Sequence, residues 1–306
     1  SLDNHCNLSW VDCEQSQSTA WGADIKKNGA YDLKTTSRRL YNNDGNANLL
    51  SEEAYTQLYD RFIDMVMRGI GQMDDISILG GEPLISPRLF DFLDKISQQS
   101  QHINLQIVTN LSLRNNLKRL FEYRPKFKDI VLTVSIDGAG KGAELNRYGL
   151  NWQVFNENVN MVLSEYNASI RFTGTIAITS LDTLVHTLVW YESLSKRFGD
   201  QVSYSASICY NPTFQHIGIL PSALKKKYTY DISEWMNKTA LDDPLLMVNL
   251  KQIIALLAVD IMDNTHTEEC DDFVRFIIAF CDRRNIQLGE YISDDLYQWT
   301  QYRNRM

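Results

Sequence analysis

The chain alternates between short apolar runs and amphipathic stretches from its start to about residue 208. Short runs rich in Ile, Val and Leu are typical of buried strands, and apolar residues at helical spacing predict helices between them. Strands and helices that alternate in this way form βα units on a parallel sheet. Six strands are predicted, over residues 2–5, 76–79, 104–108, 129–136, 170–178 and 202–208.

Helical periodicity fills most of the stretches between these strands, except for the polar stretch 28–48, which is predicted to be a long surface loop. After residue 208 the alternation stops, and Asn211-Pro212 precedes mainly helical periodicity. The pattern predicts an α/β fold over residues 1–208 and a mainly helical extension over 209–306. Helices within the first part are predicted to begin near Ser51, Ser86, Trp152 and Leu181.

Composition and charge narrow the function classes. The formal net charge is -8, and 22% of the residues are charged. A surface for nucleic-acid phosphates or anionic lipid needs clustered Lys and Arg, so neither partner is expected. The sequence has neither an apolar run of membrane-spanning length nor a signal-peptide pattern at its start, which predicts a cytoplasmic protein.

Five cysteines lie at positions 6, 13, 209, 270 and 281. They are too few for a disulfide scaffold in a chain of 306 residues, which favours reduced thiols or metal ligands. Cys270 and Cys281 share the apolar face of a predicted helix, where a cysteine behaves as a small hydrophobic residue. Core packing is therefore predicted for these two.

Glycine and polar residues stand where the predicted strands end. The carboxyl ends of parallel strands meet at one edge of a sheet, so these residues are expected to lie close together. Glycines permit close approach of a ligand, and a guanidinium complements a carboxylate. The plainer interpretations are polar turns at the strand ends and a solvated surface side chain for Arg147. The candidate ligand-binding residues at the strand ends are Gly80, Gly81, Glu82, Asn110, Ser135 and Asp137. Arg147, which lies ahead of the helix predicted at Trp152, is a further candidate.

The segment Cys6-Asn7-Leu8-Ser9-Trp10-Val11-Asp12-Cys13 follows the first predicted strand. It resembles the cluster loop of radical S-adenosylmethionine (SAM) proteins, written CxxxCxxC, with Trp10 in the place of the middle cysteine. In that family three thiolates hold a 4Fe-4S cluster, which soft sulfur ligands favour. The resemblance implies Cys6 and Cys13 as metal ligands, with one ligand missing. Two cysteines at this spacing, taken alone, are also consistent with unrelated thiols.

Further segments resemble the same family. Gly80-Gly81-Glu82-Pro83 is similar to its GGEP segment, which receives the SAM ammonium. Ser135 and Asp137 stand where relatives contact the ribose or methionine part of SAM. Arg147 lies in an Arg-x-Gly segment, which implies a partner for the SAM carboxylate.

Asn211-Pro212 and the lysine run that follows resemble the start of a twitch-type extension. The resemblance therefore implies a partial (βα)6 radical SAM barrel over 1–208 and a twitch-like extension over 209–306. It also implies SAM and a 4Fe-4S cluster as cofactors and an external electron donor. Such an enzyme would generate a 5'-deoxyadenosyl radical that abstracts hydrogen from a peptide or another polar small molecule.

Two other functions stay open at this point. The first is a cluster-free relative that binds SAM or another nucleotide and acts as a binding or scaffold protein, which Trp10 favours because an indole is not an iron ligand. The second is an ordinary metabolic βα barrel, which requires the matches at Gly80, Asp137 and Arg147 to be accidental. An auxiliary cluster on Cys209, Cys270 and Cys281 is a further alternative to core packing.

Overall fold

The computed structural model describes residues 5–13, 18–35, 52–259 and 267–304. The chain has a mixed α/β fold, in which five strands form one parallel sheet and two short segments form a separate antiparallel pair. The strands are β1 (Ser9–Trp10), β2 (Asp75–Ile78), β3 (Asn104–Thr109), β4 (Asp129–Ser135), β5 (Arg147–Tyr148), β6 (Ser169–Ile176) and β7 (Val202–Ile208).

The parallel sheet has the strand order β2-β3-β4-β6-β7, which follows the chain without reversal. Each crossover between neighbouring parallel strands is right-handed as a rule, so an order that never reverses places the connecting helices on one face. The loops that follow the parallel strands then all lie at the C-terminal edge of the sheet, where ligands of such sheets bind.

Twelve helices are found in the described residues, among them α1, which the sequence pattern did not predict. Its N-cap is Ser18, whose Oγ accepts a hydrogen bond from Trp21 N. The helices are α1 (Thr19–Asn28), α2 (Glu52–Gly69), α3 (Pro87–Ile96), α4 (Arg114–Glu122), α5 (Lys141–Asn146), α6 (Trp152–Ser164), α7 (Ile178–Asp182), α8 (Leu184–Phe198), α9 (Ser222–Lys238), α10 (Pro244–Ala258), α11 (Thr267–Asp282) and α12 (Asp294–Arg303).

The two faces of the sheet differ in chemistry. Phe172 and Tyr204 are register partners on the face that packs against α8, where they contact Trp190 and Tyr191. Side chains alternate along a strand, so their neighbours point to the opposite face. That second face, called the open face below, carries half-buried hydroxyl side chains, among them Thr133, Ser135, Thr173, Thr175 and Ser205.

The C-terminal helices pack on the edge of the sheet and on α1. Helix α10 lies along the free edge of β7, where Asn249 Oδ1 accepts a hydrogen bond from Ala206 N at 3.0 Å. Helix α11 packs on α1, with the Trp21 ring 6.1 Å from that of Phe276 and 5.9 Å from that of Phe280. Among the helices of the described ranges, none combines the length and apolar character needed to cross a bilayer.

Five of the six predicted strands are confirmed as β2, β3, β4, β6 and β7. The first predicted strand, over 2–5, and the helix start at Ser51 lie mainly outside the described residues, as does most of the predicted loop 28–48. The helix predicted from about Leu181 to Phe198 is confirmed as α8, but it begins at Leu184, because Ile178–Asp182 forms the separate short helix α7 and Thr183 lies between the two. Ser180 Oγ, which bonds to the Thr175 and Ala177 carbonyls, stabilises the separate first turn.

Candidate functional site at the C-terminal edge of the sheet

The loop of residues 5–13 crosses the C-terminal edge of the sheet from strand to strand. Glu82 N, after β2, donates to His5 O at 2.6 Å, and Asn110 Nδ2, after β3, donates to Asn7 Oδ1 at 2.9 Å. The strand β1 pairs with β5, which places Trp10 opposite Arg147. The structure therefore brings the cysteine loop and the strand-end residues together, as the sequence predicts.

Glu82 is fully buried, and its carboxylate is occupied by groups of the chain itself. Oε1 accepts hydrogen bonds from Thr109 Oγ1 at 2.8 Å and Leu84 N at 3.1 Å, and Oε2 accepts one from Asn110 N at 2.7 Å. Burial raises the pKa of Glu82 to about 7 against these three donors. Its side chain ties the ends of β2 and β3 together, whereas Gly80 beside it is exposed and Gly81 is half-buried.

Asn110 and Ser135 differ in how accessible their side chains are to a ligand. Asn110 is buried, and its Oδ1 accepts hydrogen bonds from Ser112 N and Ser112 Oγ at 3.0 and 2.6 Å. With its Nδ2 on Asn7, its amide is committed to holding the loop. Ser135 is half-buried on the open face, next to its register partner Thr173. Of these two side chains, the Ser135 hydroxyl is the one that a ligand bound on the open face would contact.

Arg147 is a buried cation. Only 1% of its surface is exposed, so the interpretation as a solvated surface side chain is wrong. Nη2 lies 2.6 Å from Asp137 Oδ2, and the guanidinium carbon lies 3.6 Å from the centre of the Trp10 ring. Asp137 Oδ1 in turn accepts a hydrogen bond from Thr175 N at 2.7 Å. The ion pair and the stacked indole fix the guanidinium at the ends of β4 and β6.

The two loop cysteines flank Trp10 in the chain. Both are partly buried and pack against the apolar core. Burial raises the pKa of the Cys6 thiol, and the Glu82 carboxylate adds to the effect. Within the described ranges, no set of three or more His, Cys, Asp or Glu side chains is placed to hold a metal ion. The residues present, with an indole between two thiols, do not fit a 4Fe-4S cluster held by three thiolates.

Asp12 and Gln215 join the group although no sequence pattern selected them. Asp12 is partly exposed as a residue, but its Oδ1 is shielded from solvent. Burial and the neighbouring Asp137 carboxylate raise the pKa of Asp12 to about 7. Gln215 is fully buried and donates from Nε2 to Val11 O at 3.3 Å. The only available signal for Asp12 was its place inside the cysteine loop, and Gln215 had none.

The remaining cysteines are buried, as predicted for two of them. Cys270 and Cys281 belong to the apolar core on α11, and burial raises the pKa of Cys281 to about 12. Cys209 is also buried, and burial together with the Asp12 carboxylate raises its pKa. Burial therefore favours the protonated, neutral form of these thiols.

Comparison with protein families finds no match. No curated protein matches the chain. Among solved structures, it is similar to native anSMEcpe with bound AdoMet and the Cp18Cys peptide, at 14% identity and a TM-score of 0.46, over 77% of this chain and 58% of that one. A histidine-tagged anSMEcpe with bound AdoMet gives 15% identity and a TM-score of 0.47, over 77% and 57%. The chain thus spans less than two thirds of these proteins, and the likeness says nothing about its chemistry.

Proposed function

We propose that this chain is a radical SAM-type protein that binds SAM at the C-terminal edge of its parallel sheet. One observation carries the proposal. The loop with Cys6 and Cys13 lies against the strand ends that bear Gly80–Glu82, Asn110 and Asp137. Ligands of βα sheets bind at this edge, and the residue types that the resemblance selects are the ones that meet there.

Two forms of this function differ in whether the loop holds a 4Fe-4S cluster. Trp10 favours the cluster-free form, which binds SAM or another nucleotide, because its indole takes the middle cysteine's place and packs on Arg147. Cys6 and Cys13 favour the enzymatic form, a radical SAM enzyme acting on a peptide or another polar small molecule. We assign the cluster-free form to the chain as it stands, since the described residues do not fit the cluster.

Each residue of the proposed site has a physical role. Arg147 supplies a positive charge that Asp137 holds in place. The exposed backbone at Gly80 allows a ligand to approach closely, and the Ser135 hydroxyl faces the ribose from the open face. Glu82 acts by positioning, because its carboxylate fixes the backbone of Asn110.

The proposal is tested by calorimetric titration of SAM into the wild type and two matched variants. Ser135→Leu places an apolar side chain on the open face at the ligand end, and we expect it to weaken SAM binding at least about ten-fold. Ser203→Leu is the control, because Ser203 is exposed at the start of β7, at the other end of the sheet. A wild type that does not bind SAM, or equal affinities for all three proteins, would contradict the proposal.

A further inference from the structure

Several buried polar atoms at the C-terminal edge have no hydrogen-bond partner. The described residues contain eleven such side-chain atoms. One of them is Asp137 Oδ2, which faces Arg147 in the ion pair. Five others belong to four side chains of this site. These five are Nε1 of Trp10, Oδ1 of Asp12, Nε and Nη1 of Arg147, and Oε1 of Gln215. A buried polar group without a partner is destabilising, and a charged one more so, so a cluster of them indicates a site that a ligand completes.

These four side chains belong to one group in space. The Trp10 ring lies on the Arg147 guanidinium, and Gln215 Nε2 bonds to Val11 O, between Trp10 and Asp12 in the chain. The Asp12 carboxyl is hydrogen-bonded to the Thr175 side chain, and Thr175 N donates to Asp137 Oδ1, so Asp12 lies near the ion pair of Asp137 and Arg147. Arg147 and Gln215 are 1% and 0% exposed, whereas Trp10 and Asp12 are partly exposed and form the side that faces solvent.

The unpartnered atoms define the kind of ligand. Trp10 and Arg147 offer three nitrogen donors, and Asp12 and Gln215 offer two oxygen acceptors. A phosphate would be repelled by the carboxylates of Asp12 and Asp137, and a lone ammonium would be repelled by Arg147. A group with an ammonium and a carboxylate side by side satisfies both sets, and the α-amino acid end of a ligand is such a group.

We propose that Trp10, Asp12, Arg147 and Gln215 bind the α-amino acid end of the ligand. Arg147 and the Trp10 indole donate to its carboxylate, and Asp12 and Gln215 accept from its ammonium. The assignment rests on the proposed SAM-type function for the rest of the ligand. It differs from the expectation that Glu82 receives the ammonium, because three donors of the chain already occupy the Glu82 carboxylate.

The site is tested by calorimetric titration with SAM and with two of its parts. The first part is 5'-methylthioadenosine, which lacks the amino acid end, and the second is L-methionine, which lacks the nucleoside. In the wild type, SAM is expected to bind more tightly than methylthioadenosine. Asp12→Asn and Gln215→Met are expected to weaken SAM and methionine binding about ten-fold each and to leave methylthioadenosine unchanged. Glu157→Gln is the control, because it removes an exposed carboxylate on α6.

The outcomes separate this inference from the proposed function. If SAM binds equally to wild type, Asp12→Asn and Gln215→Met, the amino acid site is wrong while the proposed function stands. If only methionine binds and requires Asp12 and Gln215, the amino acid site stands and the proposed function is wrong. If none of the probes binds the wild type, both are overturned.

Melting temperatures of the unliganded proteins exclude a merely structural effect. Asp12→Asn removes the charge of a buried carboxyl group, so its melting temperature is expected to equal or exceed that of the wild type. Gln215→Met removes a buried oxygen that lacks a partner, but it also removes the hydrogen bond from Gln215 Nε2 to Val11 O, so its melting temperature is expected to fall slightly. A lower melting temperature of Asp12→Asn, together with equal loss of SAM and methylthioadenosine binding in both variants, would show that these residues maintain the fold and would overturn the inference.

Discussion

Trp10 stacks on a buried guanidinium in the position where the resembling loop has a thiol. Its ring centre is 3.6 Å from the Arg147 guanidinium carbon, and Arg147 pairs with Asp137 at 2.6 Å. A desolvated contact between a cation and an indole contributes about 2 kcal/mol. The single residue thus has two effects, since it removes a cluster ligand and stabilises the ion pair of Arg147 with Asp137.

The first prediction is that Trp10→Cys increases the amount of iron and acid-labile sulfide that the protein retains after anaerobic reconstitution. The new thiol completes three ligands with Cys6 and Cys13, whereas the wild type should retain little of either element. Without reconstitution, the variant should be less stable than the wild type by about 2 kcal/mol, because the stacking on Arg147 is lost. Iron and sulfide assays with urea unfolding measure both effects.

Ser9→Cys is the matched control for this change, because it adds the same thiol one residue away. Successive residues of a strand point to opposite sides, so the Ser9 side chain points away from the side on which the Trp10 ring lies. Equal iron retention by wild type, Ser9→Cys and Trp10→Cys would show that the missing thiol is not what limits cluster binding.

At the scale of elements, Glu82 joins the turn after β2 to the end of β3 through bonds to Leu84, Thr109 and Asn110. Its pKa is raised from 4.5 to about 7, chiefly by burial. Between these two values the folded chain holds a proton that the unfolded chain has lost. Stability contributed by this group is therefore present below pH 4.5 and is lost as the pH rises through 7.

The second prediction is that the free energy of unfolding of the wild type, relative to Glu82→Gln, falls by roughly 3 kcal/mol between about pH 4.5 and 7.5. Glutamine does not titrate, and Asp12 is present in both proteins, so its own titration cancels. Urea unfolding of both proteins at several pH values measures the difference. A difference that stays constant with pH, or that grows as pH rises, would show that the carboxylate is ionised in the folded chain throughout this range.

The strands of the sheet could be predicted from the sequence, but the side-chain contacts at its C-terminal edge could not. β3, for example, starts at the predicted residue and extends one residue further, because its buried positions Leu105 and Ile107 alternate with half-buried ones, which is the periodicity of a strand. The pairing of Arg147 with Asp137 was missed, although both were selected, since each was assigned to a ligand. Gln215 reaches Val11 across more than two hundred residues of sequence, and no local pattern encodes such a contact. The break at Thr183 was missed because apolar spacing continues through it.

At the scale of the whole molecule, the apolar core is continuous across the predicted boundary at 208–209. It includes residues of the sheet, such as Leu132 and Phe172, and residues of the C-terminal helices, such as Phe273 and Phe276. Phe276 lies 5.0 Å from Phe214 and 5.0 Å from Tyr31, ring centre to ring centre. The division into segments 1–208 and 209–306 stays a prediction, and the shared core favours unfolding as one unit.

The last prediction is that a substitution inside the C-terminal helices lowers the stability of the sheet. Phe273 is fully buried on α11 and stacks on Trp299 of α12, with ring centres 5.6 Å apart. Phe273→Leu is expected to cost about 1 to 2 kcal/mol, because it leaves a small cavity beside Trp299. If the chain unfolds as one unit, hydrogen exchange of the amides in β4 must accelerate to the same extent as that of α11. Phe276→Leu, at the junction with α1, is the control that should affect both regions whether or not the segments unfold together. Acceleration confined to residues 267–304 in Phe273→Leu would show that the C-terminal segment unfolds by itself.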